Sequence, residues 1–273
     1  MNNVYQMVAD KIVEQLQQGI VTWQRPWTGI KDGGAISYVS RRPYSFLNQC
    51  LLCKPGEYIT YKQVIDLGGK IRKGEKASYV VFFKQYPIEE QQEDGTMKVK
   101  NIPILRYYNV WHIDQVEGIE SKLTDEQQQP EPMRLQEPEQ AIKDYVEREQ
   151  LKFYCDHASN RAFYQPTNDS VTVPMIEQYP EVAEYYSTTF HELTHSTGAE
   201  KRLNRKGITG AIHFGSETYS REELVAEMGA AMMCNVTGID CQKAFKNSVA
   251  YIQGWSRHIK NDPKMFVIAA SQA

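Results

Sequence analysis

Residues 181–198, EVAEYYSTTFHELTHSTG, decide the reading of this chain. A helix-like run leads into His191-Glu192-Leu193-Thr194-His195, and Gly198 follows as a natural residue for closing a helix. On a helix, positions i and i+4 share one face, so His191 and His195 would hold one zinc ion between them at about 2.0–2.1 Å. Glu192, one step round, reaches the water on that ion as a general base, and the metal brings the water's pKa from 15.7 towards ~7. The pattern points to hydrolysis of peptide bonds, with a third ligand coming from elsewhere. The competing reading is an amphipathic helical fragment whose histidines are satisfied core residues.

Downstream, YSREELVAEMGAAMM from Tyr219 predicts a second helix with Ser220 as its N-cap. At 100° per residue, Glu223, Ala226, Glu227, Ala230 and Ala231 fall on one small-residue face; Leu224, Val225, Met228 and Met232 form the neighbouring core stripe. An alanine-rich face lets another helix come close. Two carboxylates in such a contact are costly to bury unless paired, hydrogen-bonded or bound to metal. Glu223 is the favoured third ligand, with Glu227 as the alternative, or as a hydrogen-bond acceptor for a ligating imidazole. Ser220 and Glu223 also match a capping box, which would leave Glu227 for the metal. Glu222 points about 100° away from Glu223 and is expected in solvent. Tyr219 and His213 are candidate donors to the oxyanion of a tetrahedral intermediate, with an ordinary loop position as the alternative for each.

Upstream, RAFYQPTNDSVTVP (161–174) alternates like a pair of strands around a Pro-Thr-Asn-Asp turn, predicting a hairpin or edge strand ahead of the HELTH helix. Such an edge can hold an extended peptide, which makes Tyr164 and its neighbours candidate substrate contacts. Plain sheet packing is the other reading.

The whole chain of 273 residues is 41% hydrophobic and 24% charged, ordinary globular composition that excludes collagen-like or wholly disordered readings. No run approaches the roughly 18 apolar residues of a membrane span, and the first twenty residues lack a signal peptide's basic start and apolar centre. The expected location is therefore cytoplasmic, with no membrane partner. Five cysteines give no disulfide framework, and Cys50 and Cys53 have no second pair to complete a zinc site, so a structural role is expected for both.

The net charge of −3 conceals +4 over residues 1–115, −5 over 116–140 and −2 over 141–273. The middle segment is rich in Gln, Glu and Pro and poor in large apolar residues, the composition of a chain that does not order itself. The expected organisation is thus a domain over 1–118, an acidic linker over 119–140 and a second domain over 141–273. Within the first, aromatic and basic residues interleave: Trp23, Arg25, Trp27, Arg41, Arg42, Tyr44, then Lys70, Arg72, Lys73 and Lys76. Cations attract phosphates and rings stack on unpaired bases, a mixture that suits single-stranded nucleic acid; a solvated charged face is the alternative. The run ITYKQVIDLGGKIRKGEKASYVVFFK (59–84) reads as a short helix, a Gly-Gly turn, a basic loop and an apolar strand.

These residues carry a resemblance. TTFHELTHSTGAEKRLNR, HFGSETYSREELVAEMGAAMM and AYIQGWSRHIKNDPKMFVIAASQA resemble the zincin metallopeptidase domain of ArdC-type antirestriction proteins, over about 150–273. PWTG, YSFLNQ, the 59–83 run and YYNVWHIDQVEG are similar to the N-terminal domain of the same family, over about 1–118. The resemblance implies an α+β fold of two domains: a single-stranded-DNA-binding module, then a zincin whose HExxH helix packs on a small antiparallel sheet. It implies that His191 and His195 bind zinc, or manganese or cobalt in its place, that Glu192 is the catalytic base, and that a glutamate of EELVAE completes the site. It further implies a mobile-element antirestriction protein with single-stranded DNA and a host protein as partners. The alternatives are a protein that protects DNA by occupancy, with a structural or vestigial metal site and no proteolysis, and a metallopeptidase whose basic half recognises an acidic protein.

Overall fold

The computed structural model describes residues 4–24, 34–91, 97–123, 137–156, 159–210, 217–240 and 249–273. Helix α1 (Val4–Gln17) forms because Val8, Ala9, Ile12, Val13 and Leu16 recur at helical spacing, and all five are buried. Two short helices follow, α2 (Phe46–Leu52) and α3 (Tyr61–Asp66). The second starts at a reciprocal cap in which the Gln63 amide donates to Thr60 Oγ1 (3.4 Å) and the Thr60 amide donates to Gln63 Oε1 (3.0 Å).

The strands of this half are β1 (Ala35–Ser37), β2 (Gly56–Ile59), β3 (Lys70–Ile71), β4 (Ser78–Gln91), β5 (Met97–His112) and β6 (Val116–Glu117). A four-stranded sheet runs β1-β2-β5-β4, parallel between β1 and β2 and antiparallel elsewhere, and β3 pairs with β6. The helix, Gly68-Gly69 turn, basic loop and strand expected over 59–84 are all present.

Beyond residue 137 come α4 (Pro138–Glu149), β7 (Lys152–Asp156), β8 (Phe163–Gln165), β9 (Ser170–Pro174), α5 (Val182–Thr197), the single turn α6 (Lys206–Thr209), α7 (Glu217–Thr237), α8 (Val249–Asn261) and α9 (Met265–Gln272). Strand order is β7-β9-β8; β8 and β9 make the expected hairpin, but β7 runs parallel to β9, so the sheet is mixed and not antiparallel throughout. The connection from β7 to β9 passes through β8, which turns the chain twice before it pairs. Tyr186, Phe190 and Leu193 of α5 pack on Val171 and Val173 of β9, leaving the histidines on the other side of the helix. Gly198 closes α5, as its position after HELTH suggested, and does so in right-handed geometry (φ −77°, ψ −3°).

Helix α7 is already under way at Glu217, before the expected start, so Ser220 is a helical residue and not the N-cap expected of it, and the rival capping box with Glu223 loses its basis. It is buried on several sides: Leu224, Val225 and Met228 enter one core cluster, Ala230 and Cys234 another. Gly229 lets it approach α5, since a Cβ there would lie 2.5 Å from the Thr194 side chain.

The largest core cluster joins the two halves of the sequence. Val8, Ile12 and Leu16 of α1, Trp23, and Leu47 and Leu51 of α2 pack with Leu224 and Met228 of α7, Trp255 and Ile259 of α8, and Phe266 of α9. At its centre Trp23 stacks edge-on against Trp255 (6.3 Å between ring centroids) and lies 5.7 Å from Phe266. Cys50 is buried in this cluster and Cys53 accepts a hydrogen bond from Gln15 (2.8 Å), which fits the structural role expected of both.

Candidate metal centre

Helices α5 and α7 bring three ligand atoms together. His191 Nε2 lies 3.1 Å from His195 Nε2 and 3.5 Å from a Glu223 oxygen, and His195 Nε2 lies 3.6 Å from the other Glu223 oxygen. Ligands at 2.0–2.1 Å around a tetrahedral ion stand about 3.3 Å apart, so this triangle has the right size for one divalent cation with a fourth position open. His191, His195 and Glu223 are the set among the described residues whose ligand atoms converge in this way.

The electrostatics also call for a cation. Burial pulls the His191 pKa down, but the carboxylates of Glu223, Glu192 and Glu227 outweigh it and push the imidazole up to about 9. Burial likewise raises the Glu223 carboxyl, and the two imidazoles together with the Tyr219 hydroxyl more than reverse that.

Glu227 is turned to other partners. It accepts from Tyr251 Oη (3.0 Å), which in turn accepts from Gln24 Nε2 (3.1 Å), and burial pushes its carboxyl up. Tyr219 is pushed up to about 12, first by burial and then by Glu223, whose carboxylate it hydrogen-bonds. The phenol is therefore a proton donor at neutral pH. His213 lies outside the described residues.

Glu222 is not in solvent. It is buried (5% exposed), and it is held by Arg205, whose Nε donates to Oε2 (2.9 Å) and Nη2 to Oε1 (2.6 Å). Its Oε1 also faces His195 Nδ1 at 3.3 Å, so Nδ1 carries the proton and Nε2 offers its lone pair to the cleft. Burial raises the Glu222 carboxyl, and His195 and Arg205 outweigh it, so the group is an anion. Arg205 further donates to the Thr194 carbonyl (2.8 Å) and to Thr197 Oγ1 (2.6 Å), tying the arrangement to the last turns of α5. Gly207 makes room for it: a Cβ there would sit 2.5 Å from Glu222 Cβ. The sequence reading missed both Arg205 and Glu222, and the spacing of the HExxH helix carries no sign of them.

A cleft of about 340 Å³ opens on the triangle, lined by His191, Glu192, His195, Tyr219 and Glu223 on one side and by Phe163 and Tyr164 of β8 on another. Strand β8 is an edge of its sheet among the described strands. Tyr164 donates to Asp169 Oδ1 (2.8 Å) in the hairpin turn, and Asp169 is gripped by Arg202 and by Lys201 (2.8 Å) from the segment after α5. Burial alone raises the Asp169 carboxyl, yet these three donors hold it at about 2. Because that lies below the ordinary carboxylate value, the contact stabilises the fold fully above pH ~4 and is lost as pH falls from there to about 2. Asp169→Asn is expected to lower Tm at pH 7 by ~2–4 °C, a solvent-screened contribution of about 1 kcal/mol, and the gap to wild type should narrow below pH ~4 and close only at about pH 2.

Comparison with solved structures decides the family. Over 99% of its length the chain matches the metal-free crystal structure of the antirestriction ArdC protein from plasmid R388, at 30% identity and TM-score 0.70, covering 93% of that chain. The chain belongs to the ArdC antirestriction family. The Mn(II)-bound structure of the same R388 ArdC matches at 29% identity and TM-score 0.71, covering 94% of that chain. Residues 2–111 match the model of the N-terminal domain of anti-restriction factor ArdC, and residues 142–272 match that of a zincin-like metallopeptidase. Two Escherichia coli proteins named DNA primase TraC are 29% and 28% identical over 98% of the chain, which spans only 19% and 26% of their length. Protein y4eC of Sinorhizobium fredii is 27% identical, with 99% of this chain and 89% of that protein covered.

Within the ArdC N-terminal domain the expected nucleic-acid contacts scatter. Trp23 has no exposed surface, so it cannot stack on a base; its ring is committed to the shared core. Arg41 is ion-paired with the fully buried Glu57, and Lys70 with Glu117 (2.8 Å). Arg72, Lys73 and Lys76 are exposed on the loop between β3 and β4, while Arg42 and Tyr44 line a groove on the four-stranded sheet. Arg25 and Trp27 lie outside the described residues. Among the described residues no helix is long and apolar enough to cross a membrane.

Proposed function

We propose that this ArdC-family protein serves a mobile element by binding single-stranded DNA and by hydrolysing peptide bonds at the α5–α7 site. The observation that carries the peptidase half is the triangle of His191, His195 and Glu223 opening on a cleft walled by β8, an edge of its sheet among the described strands. A divalent ion held there, which we assign as zinc with manganese or cobalt able to replace it, supplies Lewis acidity and makes water a nucleophile near neutral pH.

The remaining roles fall to the chain itself. An extended substrate adds as a strand along β8, placing its scissile carbonyl beside the histidines. Glu192, buried in the cleft wall and outside the ligand triangle, takes the proton of the attacking water and returns it to the leaving amine. Tyr219, a donor at the rim, hydrogen-bonds the carbonyl oxygen as charge develops on it. Single-stranded DNA as the partner rests on the antirestriction family and on the aromatic and basic surface of the N-terminal half.

Metal analysis tests the centre. Purified wild-type protein is expected to hold about one divalent ion per chain, His191→Ala and Glu223→Ala to lose it, and Glu227→Ala to keep it. Retention by both of the first two variants would remove the site.

A further inference from the structure

The β4–β5 hairpin presents two faces that differ in how their exposed rings are accompanied by cations. Residues directly opposite each other across an antiparallel pair share a face, and alternate positions along a strand return to it. On one face Val81 and Leu105 enter the shared core, while Tyr107 and Phe83, paired with them, are partly exposed. On the other, Val80 and Val110 are buried at the base of the hairpin, and beyond them the face is open. In order outward it carries Tyr108 opposite Val80, Phe82 opposite Arg106, Lys84 opposite Ile104, and then Tyr86.

Phe82 and Tyr108 are 45% and 47% exposed, with ring centroids 5.8 Å apart. Arg106 and Lys84 both lie over the Tyr86 ring, at 5.0 and 5.4 Å, and have no carboxylate partner among the described residues. The open face runs into a groove of about 510 Å³ lined by Phe82, Tyr108, Tyr44 and Arg42, with the hydroxyls of Ser37, Ser40, Ser45 and Thr60. Arg42 too is exposed and lacks a carboxylate among the described residues.

Exposed rings on a sheet face mark an interaction surface, and the unpaired cations between them fix the charge of what covers it. Duplex hides its bases from such a platform. An unpaired strand offers both a phosphate chain for the cations and flat faces for the rings. We infer that single-stranded DNA binds along this face, its bases stacking on Phe82 and Tyr108 and its phosphates meeting Arg42, Lys84 and Arg106. None of Lys70, Arg72, Lys73 and Lys76 lines the groove, so the basic loop is not the main contact. This assignment rests on the proposed binding of single-stranded DNA and names where it occurs.

The test is fluorescence polarisation of a dye-labelled twenty-nucleotide oligo-dT with the full-length protein. Phe82→Ala and Tyr108→Ala are each expected to weaken binding by about 5- to 150-fold with little change in salt dependence, whereas Phe82→Tyr should bind like wild type. Replacing Arg106 and Lys84 by Ala should each reduce the slope of log K against log salt by about 0.7. Arg72→Ala/Lys73→Ala should bind within about threefold of wild type. Loss of binding in that double variant, with Phe82→Ala and Tyr108→Ala unaffected, overturns the location and leaves the DNA-binding function standing. Absence of binding by wild type overturns both, and tighter binding of a blunt duplex of equal length overturns the stacking mode.

Discussion

Replacing Glu192 by Gln should leave one metal ion per chain and lower peptide hydrolysis by about 10²- to 10⁴-fold, the usual share of a positioned general base. The substitution is nearly isosteric, and Glu192 is not among the three converging ligands, so neither the fold nor the metal site has reason to change. What is lost is a group able to accept the proton of water. The same variant separates the two readings of the protein. If it protects transferred DNA in cells as well as wild type does, protection comes from occupying DNA and the metal site is incidental. If protection disappears while oligonucleotide binding persists, proteolysis is the active step.

The second large effect concerns Arg205. Arg205→Met leaves the Glu222 carboxylate buried without its fork of donors, and breaking one partner of such a pair costs about 3–5 kcal/mol, which for a chain of this size is a Tm drop of about 6–20 °C. His195 then loses a fixed partner for Nδ1, and metal affinity should fall by about 10- to 100-fold in a chelator competition. A double variant, Arg205→Met/Glu222→Leu, removes both charges together and should recover much of the stability but none of the affinity. That split identifies Glu222 as a positioning residue for His195. An Arg205→Met protein that melts and binds metal like wild type would refute the account.

The parts of the site that the sequence reveals are those set by local helical spacing. His191, Glu192 and His195 lie within five residues of one helix, so the 100° step already settles which side chains share a face. What favours Glu223 over Glu227 in the proposed site lies far away in sequence, at Tyr251 of α8 and Gln24, which engage Glu227. Ser220 is already helical, which argues against the rival capping role of Glu223. Glu222 departs from its expected place in solvent because the side of α7 turned away from Glu223 meets Arg205 there and not water. Trp23 differs for a related reason: an indole two residues from Arg25 suits base stacking, but it suits a core equally well, and only the packing of Trp255 and Phe266 decides. The stacking face of the hairpin was hidden in KASYVVFFK, which reads as an apolar strand until its partner Arg106-Tyr107-Tyr108 is set beside it.

The packing of Trp23 against α8 and α9 bears on how such a protein is inherited. The Gln- and Pro-rich stretch looks like the place to cut and swap modules, but a cut there would strip the amino-terminal helix from its carboxy-terminal neighbours and bare an apolar wall on each fragment. Recombinants joined at that seam should misfold unless both walls match, so evolution is expected to move the unit whole. The TraC alignments have that form: 98% of this chain is embedded as one block in proteins several times its length.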